Sequence, residues 1–70
     1  MFISRIRVFA LNNDVLFDAV LRELPDLCDS FTCYPKEQMF IVQSSQSAVD
    51  LCDSLRMRSI NTEQIGVKML

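Results

Sequence analysis

The sequence contains no histidine and no tryptophan, and it has only one glycine and two prolines. Without histidine, the commonest general base and the commonest metal ligand of proteins are both missing. So little glycine and proline is not the composition of a collagen-like or loop-rich chain. These absences argue against an acid–base enzyme and against a histidine-based metal site.

Long apolar runs and an excess of basic charge are also missing. Arg5 and Arg7 interrupt the only early apolar stretch, so no secretory signal peptide is predicted. No run approaches the ~18 apolar residues needed to span a bilayer. Seven basic residues stand against nine acidic ones, a formal charge of −2, which does not favour non-specific binding to nucleic acid. We therefore expect a soluble, cytoplasmic protein without a membrane partner.

The three cysteines, Cys28, Cys33 and Cys52, do not form a recognisable metal-binding motif. An odd number of cysteines without a secretory leader indicates reduced thiols. Zinc sites use close pairs such as CxxC with further cysteine or histidine ligands, and the spacing of Cys28 and Cys33 provides neither. The sequence predicts no metal and no cofactor, with Cys28 and Cys52 as small core residues and Cys33 in a strand.

Half of the seventy residues are apolar, which is enough for one small folded domain spanning residues 1–70. Residues 2–10 alternate between apolar and polar positions, as a β-strand with one buried face does. The predicted core face consists of Phe2, Ser4, Ile6, Val8 and Ala10. The opposite face consists of Ile3, Arg5, Arg7 and Phe9.

Two later segments have the apolar spacing of amphipathic helices. Residues 12–14 can cap the first helix, and Pro25 is expected to end it near Leu24. Ser47 can cap the second helix, with Asp50 three residues later as in a capping box. The predicted buried stripes are Leu16, Phe17, Val20, Leu21 and Leu24 in the first helix, and Ala48, Leu51, Cys52 and Leu55 in the second.

Three further strands complete the predicted fold. Residues 31–34 and 39–42 indicate a hairpin, and residues 65–69 alternate as a closing strand. The resulting order predicts an α+β domain of the ferredoxin-like βαββαβ type, a four-stranded antiparallel sheet with two helices on one face. Right-handed crossovers would place the first and third strands in the centre. The other face of the sheet would then be open to solvent.

No catalytic motif is present, so we predict a non-enzymatic protein whose exposed surfaces are its candidate sites. One candidate surface is the open face of the sheet, which combines cations with an aromatic residue on the first strand. The other is the acidic helical surface, where carboxylate pairs lie opposite the apolar stripes. The candidate partner-binding residues are Arg5, Arg7, Phe9, Phe40, Asp14, Asp18, Asp50 and Asp53.

Three short segments resemble a known family. Residues 1–6 (Met-Phe-Ile-Ser-Arg-Ile), residues 39–46 (an apolar strand followed by Gln-Ser-Ser-Gln) and residues 64–67 (Gln-Ile-Gly-Val) are similar to the CasE-type CRISPR repeat-processing endoribonucleases. The resemblance covers only the first of that family's two domains, and it implies the same ferredoxin-like fold. The family's catalytic histidine lies around its first helix, where this chain has none, so cleavage activity is not implied.

Three functions follow as hypotheses. The first is a small binding protein, an anti-CRISPR-type inhibitor encoded by a phage, that imitates a domain of a CRISPR effector component in the host cytoplasm. The second is an RNA-binding module that holds a repeat hairpin without cutting it. The third is a homodimer paired through an edge strand or through the open sheet face.

Overall fold

The structure, a computed structural model, describes residues 1–9 and 14–70. It is an α+β domain, as predicted, whose strands and helices alternate in the order β-α-β-β-α-β. Its elements are β1 (Phe2–Val8), α1 (Asp14–Leu27), β2 (Ser30–Tyr34), β3 (Met39–Ser44), α2 (Ala48–Met57) and β4 (Ile65–Met69). Single 3₁₀ turns at Pro35–Glu37 and Thr62–Gln64 precede β3 and β4.

The four strands form one sheet in the order β2-β3-β1-β4, and every neighbouring pair is antiparallel. The first and third strands are central, as the crossover rule predicts. Ile6 of β1 lies opposite Phe40 of β3 and Val67 of β4. This register decides which residues of the four strands share a face, because successive side chains of a strand point to opposite faces.

The first helix continues beyond the point where its proline was expected to end it. Pro25 lies inside α1, which ends at Leu27. A proline in a helix interior removes one hydrogen bond and costs about 3 kcal/mol. Leu27 is buried in the core, and complete burial of a leucine contributes about 1.5–3 kcal/mol. Burial of Leu27 in the last turn therefore offsets much of the cost of Pro25.

The second helix begins as predicted, since the Ser47 hydroxyl accepts a hydrogen bond from the Asp50 N–H at 3.3 Å. Leu51 and Leu55 are fully buried, whereas Cys52 is only half-buried and does not belong to the core stripe. Two of the residues predicted to cap the first helix, Asn12 and Asn13, lie outside the described residues, as does Ala10 of the predicted strand. The third, Asp14, is the first residue of α1.

Both helices contribute to a single hydrophobic core with one face of the sheet. Val20 and Leu24 of α1, Leu51 of α2, and Ile6 and Val42 of the central strands belong to the same buried cluster. Phe2, predicted for this face, is at the end of β1 and stays exposed. Within residues 1–9 and 14–70, the structure has no helix long and apolar enough to cross a lipid bilayer.

Candidate functional site

The face of the sheet that turns away from the core is called the open face. On the central strands it consists of Ile3, Arg5 and Arg7 of β1 and Met39, Ile41 and Gln43 of β3. On the edge strands it consists of Ser30, Thr32 and Tyr34 of β2 and Gly66 and Lys68 of β4. All of these residues are exposed or half-buried. The structure thus brings together the predicted residues Arg5 and Arg7 on an accessible surface.

Three cations occupy the β1–β4 half of the open face. Arg5 is directly opposite Lys68, and Arg7 lies two residues further along the same face of β1. Directly opposed side chains have Cβ atoms about 4.5–5.5 Å apart, so like charges there repel each other. None of these cations forms an ion pair within the described part of the chain, and none of the strand residues on the open face is acidic.

Lys68 was not among the residues selected from the sequence. The signal was nevertheless available, because the alternation that buries Ile65 necessarily turns Lys68 to the other face. Only the pairing of β4 with β1, however, places Lys68 beside Arg5 rather than at a distance from it. The cation cluster therefore depends on a long-range strand register.

Phe9 lies at the edge of the same cluster, above the chain's only glycine. A Cβ added to Gly66 would be 2.7 Å from Cζ of Phe9 and 2.8 Å from its Cε2. Gly66 is opposite Arg7, so the Phe9 ring lies on the open face next to that cation. The ring remains 62% exposed. Phe9 therefore shares the open face with Arg5 and Arg7, and their joint role in binding stays a prediction.

Arg5 has a donor without an acceptor. Its Nε atom is buried by neighbouring atoms and has no hydrogen-bond partner among the residues that the structure describes. Unpartnered buried donors are rare in native proteins, and a charged group loses more free energy from this than a neutral one. The centre of the open face therefore contains an unmet hydrogen-bonding requirement.

The β2–β3 half of the open face is uncharged. Ile41 lies between Arg5 and Thr32 in the register, and Met39 lies between Arg7 and Tyr34. A shallow groove of about 330 Å³ crosses this half and is lined by Ile3, Ser30, Phe31, Thr32, Ile41 and Gln43. The open face thus consists of a cationic half beside an uncharged half in which the apolar side chains of Ile41 and Met39 lie next to the cations.

Phe40, predicted as a partner-binding residue, is instead a core residue. It is fully buried and stacks on Phe17 with ring centroids 4.6 Å apart, while Phe31 meets it edge-on at 6.3 Å. The apolar run at residues 39–42 does not itself indicate which of its residues face the core. Pairing with β1 turns Phe40 inward beside Ile6, so it cannot contact a partner on this surface.

The four predicted carboxylates are exposed on the helices, Asp14 and Asp18 on α1 and Asp50 and Asp53 on α2. Asp53 pairs with Arg56 one helical turn away at 3.4 Å. Within residues 1–9 and 14–70, no three acidic or cysteine side chains approach closely enough to hold a metal ion. The acidic pairs therefore form a solvated surface on the described helices.

An ion-pair cluster that was not predicted from the sequence connects α1 to the residue that follows α2. The Arg58 guanidinium donates to Glu23 at 2.8 Å and to Asp26 at 3.5 Å, and its hydrogen bond to Glu23 raises the pKa of Arg58. The cluster lies beside an open depression of about 490 Å³ lined by Asp26, Leu27, Gln46, Ser54, Met57 and Arg58. These partners are more than thirty residues apart in the chain, so no local pattern could reveal them.

The three thiols are free. Burial raises the pKa of Cys28, with a further contribution from nearby Asp29, and burial also raises the pKa of Cys33. The Cys28 thiol donates to the Leu24 carbonyl at 3.1 Å. A raised pKa keeps both thiols protonated at neutral pH, and the thiolate is the nucleophilic form. Both residues pack against the core as small side chains.

No protein-family model, curated protein or solved structure matches this chain. The residues of the open face therefore carry the functional interpretation.

Proposed function

We propose that this chain is a small, non-catalytic binding domain with the ferredoxin-like βαββαβ arrangement, and that it binds a protein partner through the open face. The observation that carries the proposal is the cluster of Arg5, Arg7 and Lys68, which have no ion-pair partner among the described residues, beside an uncovered and uncharged half that includes Ile41 and Met39. The central positions of β1 and β3, with both helices packed in one core, support the fold assignment.

The chemistry of the side chains supports a binding role rather than a catalytic one. The chain has no histidine, and the pKa of the Cys28 and Cys33 thiols is raised rather than lowered. Nucleophilic cysteines need a lowered pKa or an adjacent base.

The composition of the open face favours a protein as the partner. Arginine, methionine and aromatic residues are enriched in protein–protein interfaces, and here Arg5, Arg7, Met39, Tyr34 and Phe9 share one surface. Arginine and aromatic side chains also provide most binding hot spots. The apolar side chains of Ile41 and Met39, beside the cations, can exclude water from the centre of such an interface.

The resemblance of residues 1–6, 39–46 and 64–67 to CasE-type endoribonucleases suggests which protein the partner is. A domain of that shape without the catalytic histidine would take the place of its counterpart against a CRISPR effector component. We propose that the chain inhibits the effector in this way, as a phage-encoded protein acting in the host cytoplasm would.

The direct test is size-exclusion chromatography of the purified chain with a purified effector complex containing a CasE-type endoribonuclease. We expect co-elution of the unmodified chain, and loss of co-elution for Arg5→Glu/Arg7→Glu. The matched control is Asp50→Asn/Asp53→Asn on the helical surface, which should still co-elute. Absence of co-elution by the unmodified chain would contradict this choice of partner, and loss only in the control would assign binding to the helices.

One observation supports a second candidate, a non-cleaving RNA-binding module. The exposed Phe9 ring lies beside Arg7, and bases stack on such aromatic side chains while cations hold the phosphates. A gel-shift titration of a repeat hairpin at several salt concentrations tests this candidate. Phosphate contacts should weaken steeply as salt rises, and no shift at low salt would eliminate it.

A further inference from the structure

The open face and the rest of the molecule differ in charge. The open face contains three basic residues and, among the described strands, no acidic one. The other positions of the chain contain four basic and nine acidic residues. The open face therefore attracts a partner that carries negative charge, although the whole chain is acidic, because local potentials steer association.

The same charges argue against a homodimer formed by two stacked open faces. A two-fold interface places the same patch on both sides. Three cations from each copy would bring six cations together with no carboxylate on the strands of either face. Like-charge juxtaposition across an interface costs several kcal/mol. The occupant of this face is therefore not a second open face.

Arg5 indicates what the occupant supplies. Its Nε donor is buried without an acceptor, and Lys68 stands opposite as a second cation. A carboxylate can accept from Nε and a terminal nitrogen of one guanidinium together, in a bidentate geometry. Rotation of the Arg5 head toward a bound carboxylate would satisfy this donor and remove the repulsion between Arg5 and Lys68.

We propose that the open face binds a carboxylate-bearing protein surface that has an apolar flank. The carboxylates pair with Arg5, Arg7 and Lys68, and the apolar flank packs on Ile41 and Met39. This proposal rests on the proposed function and specifies the chemistry of the partner. The charge asymmetry and the unpartnered Arg5 donor both support this interaction.

The test uses a fluorescein-labelled amphipathic peptide with Glu along one flank and Leu along the other, and a second peptide with Gln in place of Glu. Fluorescence anisotropy should show saturable binding of the Glu peptide and at least about tenfold weaker binding of the Gln peptide, a difference of 1.4 kcal/mol. On binding, the NMR signal of the Arg5 Nε–H should shift. Absence of saturable binding of the Glu peptide, or equal binding of both peptides, would overturn the proposal.

Two charge-matched variants locate the interaction. Arg5→Gln/Lys68→Gln removes two charges from the open face, and Arg22→Gln/Arg56→Gln removes two from the helices. We expect at least about tenfold weaker binding for the first and an unchanged affinity for the second. Arg5→Lys should bind with intermediate affinity, because lysine keeps the charge but lacks the bidentate fork. Equal weakening by both double variants would overturn the proposal.

Two outcomes separate this proposal from the proposed function. If the Glu peptide binds as described but the CRISPR effector does not co-elute, the choice of effector is wrong and the carboxylate specificity is supported. If the effector co-elutes equally well with Arg5→Gln/Lys68→Gln, the choice of effector is supported and the carboxylate specificity is overturned. An oligouridylate that binds more tightly than the Glu peptide would overturn it in favour of nucleic acid.

Discussion

The two faces of the sheet are made from alternate residues of the same strands, and they differ in burial and in charge. On β1 the core face presents Ser4, Ile6 and Val8, all buried, while the open face presents Ile3, Arg5 and Arg7. The core face is covered by both helices. The comparison shows that the residues that form the core and the residues that are accessible on the open face lie only one position apart in the chain.

The largest expected difference between the faces comes from placing the same charge on each. Ile6→Asp puts an unpaired carboxylate into the core, and we expect it to cost about 3–5 kcal/mol. Small domains are stable by as little as about 5 kcal/mol, so this variant should lose most or all of its folding free energy and have a urea midpoint close to zero. Circular dichroism and urea unfolding provide the measurement.

The control for that change is Ile3→Asp on the open face. Ile3 is exposed, and exposed substitutions usually change stability by about 0.5 kcal/mol or less. The circular dichroism spectrum of Ile3→Asp should therefore match that of the unmodified chain. Equal unfolding of both variants would mean that the faces of β1 are not distinct in solution.

The second comparison sets two phenylalanines against each other. Phe40 is fully buried against Phe17 and Phe31, so Phe40→Ala should destabilise the domain by about 3–5 kcal/mol. Phe9 is mostly exposed, and Phe9→Ala should change stability far less. Urea midpoints measure both. A larger loss from Phe9→Ala would contradict the burial of Phe40.

The third comparison tests two serines that are both buried under the helices. The Ser44 hydroxyl donates to the Leu27 carbonyl and accepts from the Gln46 N–H, each at 3.0 Å. The Ser4 hydroxyl has no hydrogen-bond partner within the described ranges 1–9 and 14–70. Ser44→Ala should cost about 1–3 kcal/mol, because it leaves the Leu27 carbonyl and the Gln46 N–H without this hydrogen-bond partner. Ser4→Ala should be neutral or slightly stabilising. A destabilisation by Ser4→Ala as large as that of Ser44→Ala would show that Ser4 has a partner in solution.

The alternation of polar and apolar residues predicted the faces of β1, because a period of two is a local property of the chain. The crossover rule predicted that β1 and β3 are central. The alternation did not place Phe40, since a run in which every residue is apolar has no period to read. Nor did the local sequence predict the end of α1, where burial of Leu27 offsets much of the cost of Pro25.

Long-range pairing explains the remaining misses at the candidate site. Lys68 becomes part of the cation cluster only through the register of β4 with β1. Arg58 meets Glu23 only because the two helices pack together. A pattern read over a short window of residues cannot identify either of these pairs.

The smallest expected effect on stability comes from reversing a charge on the open face, and its sign is informative. Arg5→Glu places a carboxylate opposite Lys68, and opposite charges in such cross-strand pairs contribute about 0.2–1 kcal/mol. The variant also removes the unpartnered Nε donor of Arg5. We therefore expect a slightly higher urea midpoint than that of the unmodified chain. Adding Lys68→Glu restores like charges and should cancel the gain, and a double-mutant cycle isolates the pairwise term. A decrease in stability for Arg5→Glu that Lys68→Glu leaves unchanged would mean that these side chains do not interact across the strands.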